Sequence, residues 1–299
     1  MVFDSVLDII GNTPLVRLKN IEKKYNLKSE LYAKVEYYSP GLSKKDRISK
    51  YIIEKAIREG KLKKGQTVIE QTSGNTGIGL ALVCSVLGYP FVAVMSKGNS
   101  IERVKMIEAF GGKVELVDKV SDSEGVSSSD MGAVEKRFKE LKEELNAFAV
   151  DQFNNEDNAW AHYYTTGEEI LKDLKDVDAF VDYVGTGGSF VGVSKRLKED
   201  HMCSCYKVVP DRVNHSIQGG GYFKDIPFED KKLCDGEIVV SSGEAKEGVE
   251  ELAKLEGLYA GISSGANLKA AIKVLKEQVN KKAVILLNDV GLKYISISK

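Results

Sequence analysis

The sequence lacks the features that would tie it to a membrane or to nucleic acid. No apolar stretch approaches the roughly 18 residues of a membrane span, and the first residues lack the basic-then-apolar pattern of a signal peptide. The formal net charge is −1, without a strong tail of one sign, which argues against a nucleic-acid-binding surface or a basic membrane patch. We therefore expect a cytoplasmic protein with neither a nucleic-acid nor a membrane partner.

Cysteine is also scarce. The four cysteines are expected to be reduced thiols, because the chain is long and carries no secretory signal. Cys203 and Cys205 flank one serine and His201 lies nearby, but no second Cys/His pair has the spacing of metal ligands. We therefore predict no metal site.

What is present is a globular composition with alternating apolar and amphipathic segments. The 299 residues are 42% hydrophobic and 29% charged, which suits one large domain or two of ordinary size. Strands are predicted at residues 67–70, 91–95, 113–117, 179–184, 206–209 and 283–287. Helices are predicted at residues 77–87, 100–110, 188–200, 247–256 and 267–279, with a further helix over 131–145 for which Asp130 is a candidate N-cap. This alternation predicts βαβ units, mostly parallel sheets and an α/β fold.

Two adjacent lysines, Lys44 and Lys45, follow a turn and precede a helix that begins near Asp46. A lysine at a helix N-terminus feels the positive end of the helix dipole, which favours the neutral amine. A neutral amine is the form that attacks an aldehyde to give a Schiff base. The spacing alone does not separate Lys44 from Lys45, and most lysines of such a chain are surface residues.

A run of hydroxyl, amide and glycine residues lies between the predicted strand 67–70 and the next helix. It comprises Thr72, Ser73, Gly74, Asn75, Thr76 and Gly77. Backbone N–H groups at such a turn can hold an anion, because they point toward the ligand at the positive end of the helix. An ordinary strand-to-helix turn favours the same residue types.

A second glycine-rich loop follows the apolar strand 179–184. It consists of Gly185, Thr186, Gly187, Gly188 and Ser189. Its glycines allow the backbone to close on a phosphate, and its hydroxyls add donors. An ordinary tight turn is the alternative interpretation of the same residues. The spacing is neither that of a dinucleotide fingerprint nor that of a Walker A loop. Residues 152–155, 218–222 and 261–267 are further candidate turns or caps, and the three glycines 219–221 suit a mobile loop or a close ligand.

Together these segments resemble the cysteine synthase (O-acetylserine sulfhydrylase) family of fold-type II pyridoxal phosphate (PLP) enzymes, a group that includes cystathionine β-synthase. The resemblance covers nearly the whole chain in six segments, at residues 10–16, 43–47, 72–77, 152–155, 185–189 and 261–267. It implies two three-layer αβα domains with mostly parallel sheets. The smaller, mobile domain would span residues 45–150, and residues 1–44 plus 151–299 would form the larger PLP-binding domain. It also implies a homodimer.

The resemblance assigns roles to individual residues. The Schiff-base lysine would be Lys45, which directly precedes Asp46 and Arg47. Asn75 would bind the 3′ oxygen of PLP, and Gly185, Thr186, Gly187, Gly188 and Ser189 would hold its phosphate. The substrate carboxylate would be held by Thr72, Ser73, Gly74, Thr76 and Gln152, with Gly219, Tyr222 and Asp225 as further candidate substrate contacts.

Three positions depart from the family pattern. Val290 stands where a serine usually faces the pyridine nitrogen, so that nitrogen either lacks a direct protein partner or is reached by Asp289. The connection over residues 210–215 is shorter than in typical cysteine synthases. Tyr222 replaces a small residue and is more similar to cystathionine β-synthase, while Asp225 is either a solvated acid or a base near the substrate.

The resemblance implies β-replacement on a small L-amino acid through an aminoacrylate, with O-acetyl-L-serine and sulfide giving L-cysteine as the first choice. In the alternative, L-cysteine is the donor and hydrogen sulfide is released, as in a cysteine lyase or cystathionine β-synthase. A more distant alternative is a catalytically silent binding or regulatory protein on the same fold, which the change at Val290 motivates.

Overall fold

The computed structural model describes residues 2–72, 74–121, 126, 128–200, 202–213, 215–221 and 225–297. Two of the predicted site residues, Ser73 and Tyr222, lie outside these ranges.

Strands in the described part of the chain form two sheets. They are β1 (Leu15–Arg17), β2 (Lys28–Val35), β3 (Val68–Gln71), β4 (Phe91–Ser96), β5 (Lys113–Val117), β6 (Phe148–Ala149), β7 (Ala179–Tyr183), β8 (Ser204–Pro210), β9 (Gly236–Val240) and β10 (Val279–Leu287). The larger sheet has the order β1-β2-β10-β7-β8-β9, and the smaller one has the order β5-β4-β3-β6. Only β1 pairs antiparallel among the strands described. The predicted α/β class with mostly parallel sheets is confirmed.

Helices connect these strands, as parallel pairing requires. They are α1 (Lys19–Lys24), α2 (Lys45–Arg58), α3 (Asn75–Leu87), α4 (Ile101–Ala109), α5 (Ser128–Glu144), α6 (Asp157–His162), α7 (Glu168–Asp173), α8 (Gly188–Asp200), α9 (Ser242–Glu256) and α10 (Ile262–Leu275). A π-helical segment, Tyr163–Gly167, joins α6 to α7, and a 3-10 helix, Gly291–Ile297, follows β10.

Local signals account for several of the helix ends. Ser241 and Glu244 form a capping box at the start of α9, and α3 ends at Gly88 with φ +75°, a left-handed conformation that glycine adopts without a Cβ penalty. Asp130 is not the predicted N-cap, because it lies inside the first turn of α5. Its carboxylate instead accepts hydrogen bonds from the backbone N–H groups of Val120 and Ser121.

The segment 261–267, a candidate turn or cap in the sequence, caps and begins a helix. Gly261 is the N-cap of α10, and the residues that follow it form the first turns of a buried helix. Small side chains at this point permit close packing, since a Cβ on Gly265 would lie 2.1 Å from the carbonyl oxygen of Ala245. The predicted start of this helix at residue 267 was therefore wrong by several residues.

Each sheet has its own apolar core. Buried residues of β2, β7 and β10 pack against α9 and α10 in the larger core, whereas β3 and β4 pack against α2 and α3 in the smaller one. Strands of the smaller sheet all lie between residues 68 and 149, while the larger sheet collects strands from both ends of the chain. The domain boundaries after residues 44 and 150 stay a prediction.

No helix among the described residues is both long and apolar enough to cross a membrane.

Candidate active site

Lys45 contacts the glycine-rich loop formed by Gly185–Ser189. Lys45 is the first residue of α2, and its Nζ atom lies 3.3 Å from Oγ1 of Thr186, at the carboxyl end of β7. Residues 141 positions apart in the chain are thereby in contact. The carboxyl ends of parallel strands are where α/β proteins bind ligands, so this contact places Lys45 at the expected edge of the sheet.

The amine of Lys45 is held in a form close to neutral. The pKa of Lys45 is lowered to about 7, mainly by burial and to a smaller extent by the neighbouring positive charge of Lys44. The carboxylate of Asp182, and that of Glu70 once it is ionised, act in the opposite direction with smaller effect. Near neutral pH a large fraction of the Lys45 side chain is thus unprotonated and nucleophilic.

Lys44 points to a different partner. Its Nζ atom lies 3.1 and 3.2 Å from the two carboxylate oxygens of Asp182 and 2.7 Å from Oγ of Ser189. The structure therefore separates the two lysines, with Lys44 in a buried ion pair and Lys45 beside Thr186. Sequence reasoning did not single out Asp182, although it is the one charged residue within the apolar strand β7.

The start of α2 is fixed by an arginine that sequence reasoning assigned no role. Arg47 donates hydrogen bonds to both oxygens of Glu36 at 2.6 and 2.9 Å and to Glu169 at 2.6 and 2.7 Å. It also contacts the hydroxyl of Thr13 at 3.0 Å. Burial alone would raise the pKa of Glu169, but the hydrogen bonds and charge of Arg47, together with Lys34 and the backbone N–H of Asn12, lower that pKa to about 2. Lys45 therefore projects from a rigidly held helix end.

The loop from Gly185 to Ser189 has the form of an anion cup. Gly187 has φ +87°, and Gly188 opens the 13-residue helix α8. A Cβ on Gly188 would lie 1.9 Å from Oδ1 of Asn158, so only glycine fits there. Backbone N–H groups and the helix N-terminus form a donor set that suits a phosphate.

Asn158 is a further residue that sequence reasoning missed. Its Nδ2 atom donates to Oγ1 of Thr186 at 2.8 Å and to the carbonyl oxygen of Gln152 at 2.8 Å. Its Oδ1 atom is buried and has no hydrogen-bond partner among the described residues. Asn158 thus links the phosphate-type loop to Gln152.

The first anion-type turn is organised by Thr72. Its Oγ1 accepts hydrogen bonds from the backbone N–H groups of Gly74 at 3.0 Å and Gly77 at 3.3 Å. Gly74 has φ +130°, and a Cβ there would lie 2.2 Å from Cδ of Arg103 on α4. Thr76 donates from Oγ1 to Oε1 of Gln152 at 2.6 Å. The structure thus brings the described members of the predicted carboxylate site together.

Gln152 is supported from behind by a buried carboxyl group. Its Nε2 donates to the carbonyl oxygen of Gln71 at 3.0 Å and lies 3.5 Å from Oε1 of Glu70. Burial raises the pKa of Glu70 to about 8, although the backbone N–H of Gln152 partly offsets this. Glu70 is therefore largely protonated at neutral pH.

Asn75 is held from two directions. Its Nδ2 donates to Oδ2 of Asp289 at 2.7 Å, and its Oδ1 accepts from Nζ of Lys293 at 2.9 Å. The same Asp289 oxygen accepts from the hydroxyl of Tyr294 at 2.6 Å. The C-terminal segment therefore orients a side chain of the first anion turn.

Val290 is half-buried beside this network. Its backbone N–H faces the carbonyl oxygen of Leu42 at 3.4 Å, and its side chain offers no hydrogen bond. The other Asp289 oxygen, Oδ1, lies 2.0 Å from the position that a Cβ on Gly261 would take.

The triglycine loop packs on the phosphate-type loop. A Cβ on Gly185 would lie 2.4 Å from the carbonyl oxygen of Gly219, whose own φ is +90°. Arg103 donates to Oε1 of Gln218 at 2.8 Å and so connects α4 to this loop. Asp225, beyond the undescribed residues 222–224, is exposed.

The residues present fit PLP. A lysine amine with a lowered pKa stands beside a glycine-rich cup of phosphate-binding character, and an oriented amide, Asn75, lies on the neighbouring turn. PLP needs a Schiff-base lysine and an anchored phosphate, and the cofactor supplies the electron-withdrawing ring.

Comparisons with known proteins agree with this fit. The chain is 39% identical to a cysteine synthase of Staphylococcus aureus over 306 aligned positions, which cover 98% of this chain and 96% of the relative. It is 35% identical to a cystathionine beta-synthase of Apis mellifera, covering 98% of this chain and 60% of that protein. The crystal structure of a hydrogen sulfide-producing enzyme from Fusobacterium nucleatum matches with 41% identity and a TM-score of 0.90, covering 98% of this chain and 100% of that one.

The predicted family resemblance, and with it the expectation of an enzyme that uses PLP, is confirmed by these matches. The family model described as "Pyridoxal-phosphate dependent enzyme" matches residues 6–289, which include Lys45, both anion-type loops and Asp289. On this match the chain belongs to the pyridoxal-phosphate-dependent enzymes.

Proposed function

We propose that this enzyme catalyses β-replacement on a small β-substituted L-amino acid, with O-acetyl-L-serine and sulfide giving L-cysteine and acetate. The observation that carries the proposal is the near-neutral amine of Lys45 in contact with Thr186, between two anion-type loops. The 39% identity to a cysteine synthase over nearly the full chain supports the choice of donor and nucleophile.

Lys45 is proposed to act as both covalent anchor and base. Once displaced by the substrate amine, its unprotonated amine takes the proton from the substrate α-carbon and returns it to the product. The lowered pKa suits this task, because a base works best when its pKa lies near the working pH. The bound PLP supplies the electron sink for the negative charge that develops.

The two loops are proposed to bind the two anionic ends. The substrate carboxylate is held at the turn formed by Thr72, Ser73, Gly74 and Thr76, with Gln152 kept in place by its bond to Thr76. The phosphate is held by the loop Gly185–Ser189. Each loop leads into a helix N-terminus, at Asn75 of α3 and Gly188 of α8, where backbone N–H groups are available to an anion.

Asn75 is proposed to bind the 3′ oxygen of PLP in the orientation set by Asp289 and Lys293. Oδ2 of Asp289 accepts two hydrogen bonds, and its Oδ1 is buried against Gly261. On this arrangement we propose that the ring nitrogen has no direct side-chain partner at Val290 or Asp289. The roles of Gly219, Tyr222 and Asp225 as substrate contacts stay predictions.

A second candidate is β-elimination from L-cysteine with release of hydrogen sulfide, or its replacement by another thiol as in a cystathionine β-synthase. The 41% identity to a hydrogen sulfide-producing enzyme favours it. The exposed position of Asp225 gives no support to its role as a base near the substrate. The same Lys45 chemistry serves both reactions, so the two differ in the leaving group and the nucleophile.

Steady-state assays of the holoenzyme separate these candidates. One arm supplies O-acetyl-L-serine with sulfide and measures cysteine, and the other supplies L-cysteine alone and measures released sulfide. We expect cysteine formation to have the higher kcat/KM. Sulfide release from L-cysteine with no turnover of O-acetyl-L-serine would overturn the first proposal in favour of the second.

Lys45→Ala tests the role of the reacting amine in both arms, and Lys50→Ala is its matched control. Lys50 lies on the same helix, and its Nζ donates to the carbonyl oxygen of Leu7. Lys45→Ala should lose activity in both arms by a factor on the order of 10²–10⁴ or more, whereas Lys50→Ala should keep it. A wild-type protein that turns over neither substrate would favour the catalytically silent alternative.

The resemblance also leads us to propose a homodimer, which light scattering of the purified protein tests. A cytoplasmic location stays a prediction from the sequence.

A further inference from the structure

A second lysine with no role in the proposed chemistry lies at the phosphate loop. Lys44 is 8% exposed, and its ammonium contacts Ser189 of the loop and both oxygens of Asp182, which is fully buried. The ammonium therefore lies within hydrogen-bond distance of a side chain proposed to hold the phosphate.

Stability alone does not account for this pair. Removing a lysine and an aspartate from water is costly, and replacing such a pair by apolar residues of similar volume is often neutral or stabilising. Asp182 lies in β7, where its four neighbours in the strand are all buried and uncharged. A charged pair at this place calls for a role in binding.

The hydrogen bonds of Ser189 indicate what that role is. Its hydroxyl donates to Oδ2 of Asp182 at 2.5 Å and accepts from Lys44 at 2.7 Å. A hydroxyl has a single proton, so this arrangement leaves Ser189 without a donor for a phosphate oxygen. By the same count, the three N–H groups of Lys44 are directed at Asp182 and Ser189, so what Lys44 can offer the phosphate is the positive charge of its ammonium beside the loop.

We propose that Lys44, with Asp182 as its counter-ion, is a cofactor-binding residue that supplies positive charge to the phosphate of PLP, while Lys45 remains the reacting amine. The inference rests on the proposed assignment of the loop Gly185–Ser189 to the phosphate. The division of labour gives each of the two adjacent lysines its own function: one binds the anion and the other reacts.

The experiment compares PLP with pyridoxal, which has the same aldehyde and ring but no phosphate. Full-length protein is stripped of PLP with hydroxylamine, and the Kd of each ligand is measured by absorbance. The readout is the preference for PLP, defined as the Kd of pyridoxal divided by the Kd of PLP. This readout does not depend on cysteine formation, so it tests the role of Lys44 separately from the proposed reaction.

The variants remove the charge without leaving Asp182 unpaired. Lys44→Met combined with Asp182→Asn removes both charges, and Lys44→Gln keeps a polar side chain that can still bond Asp182. The matched control is Lys269→Met, because Lys269 is another buried lysine, 7% exposed, paired with Glu251 on α9. Having two Lys44 variants covers the case in which one of them does not fold.

We expect the preference for PLP to fall about tenfold or more in both Lys44 variants and to stay within twofold in the control, since a positive charge beside the phosphate is lost. An unchanged preference would overturn the proposal. Equal weakening of PLP and pyridoxal would also overturn it, because it would show a merely structural role. Wild-type protein with no preference for PLP would refute the loop assignment itself.

Discussion

Asn75 and Asp289 are joined by a hydrogen bond of 2.7 Å although 214 residues separate them in the chain. The bond connects the first turn of α3, next to the smaller sheet, to the end of β10 in the larger sheet. Tyr294 donates to the same carboxylate oxygen, and Lys293 donates to the other end of the Asn75 amide. The proposed contact to the PLP 3′ oxygen is thus oriented by the segment in which the family serine is missing.

A double-mutant cycle on Asn75→Ala and Asp289→Ala tests this coupling. Each single change removes the same charge-assisted hydrogen bond, so the losses in unfolding free energy should be non-additive by about 1.5–3 kcal/mol. Urea denaturation of the four proteins measures the coupling.

Asp178→Ala serves as the control partner for Asn75→Ala. Asp178 accepts hydrogen bonds from the backbone N–H of Lys282 and the side chain of Lys281, at the opposite end of β10 from Asp289. Additive losses are expected for that pair. Additive losses for Asn75 with Asp289 would show that the bond contributes nothing.

The pH dependence of Lys45 gives a second prediction. Its pKa of about 7 lies below the ordinary 10.5, so the amine should become neutral as pH rises through about 7. The rate at which stripped protein captures pyridoxal should rise from pH 5.5, with a midpoint near 7, and level off above it. Stopped-flow absorbance measures this rate, and a midpoint near 10 would contradict the prediction.

Lys44→Gln provides a test within the same measurement. Because the positive charge of Lys44 is the second largest cause of the low pKa, removing it should raise the pKa of Lys45. The midpoint should move to higher pH. Lys269→Met should leave it in place.

The sequence predicts the parallel sheets well, while the choice of Lys45 as the reacting lysine stays a prediction. Strand–helix alternation is a local pattern, and the strands near residues 68, 91, 113, 179 and 283 all form. Lys45 was distinguished from Lys44 only by resemblance, because both lysines stand at the same helix end. The distinction depends on where each side chain goes, and that is set by Thr186 and Asp182, more than 130 residues away.

Three side chains of the candidate site were not identified from the sequence. Asp182 is visible as the one charge in an apolar strand, so the signal was present. Asn158 and Arg47 have no such local signal, since polar residues on helices α6 and α2 are ordinary. Their importance arises from long-range contacts with Thr186 and Glu36, which no spacing in the sequence encodes.

Glu70 gives a prediction for stability against pH. Its folded-state pKa is about 8 against an ordinary 4.5, so between these values the folded protein holds a proton that the unfolded chain has lost. Stability from this group therefore falls as pH rises from about 4.5 to 8, by a total of a few kcal/mol.

Glu70→Gln should remove this loss, because the amide does not titrate. The stability of stripped Glu70→Gln relative to wild type should increase between pH 5 and pH 8.5 in urea denaturation. Glu143→Gln, at an exposed glutamate of α5, should show no such trend. Parallel curves for wild type and Glu70→Gln would mean that Glu70 is ionised in the folded protein.

The close approach of the phosphate loop to α6 gives the last prediction. A Cβ added at Gly188 would lie 1.9 Å from Oδ1 and 2.3 Å from Cγ of Asn158, which is fully buried and cannot swing into solvent. Gly188→Ala should therefore cost roughly 1–3 kcal/mol of stability through overpacking. It should also weaken PLP binding, because displacing Asn158 breaks its bond to Thr186.

Gly132→Ala is the matched control for this change. Gly132 lies in α5, and no described residue comes within 4 Å of its added Cβ, so alanine should stabilise the helix by about 0.5–1 kcal/mol and leave PLP binding unchanged. Urea denaturation and PLP titration are run on both variants. If Gly188→Ala bound PLP as tightly as wild type, the loop would tolerate a shift of Asn158, and the cup could not depend on this contact.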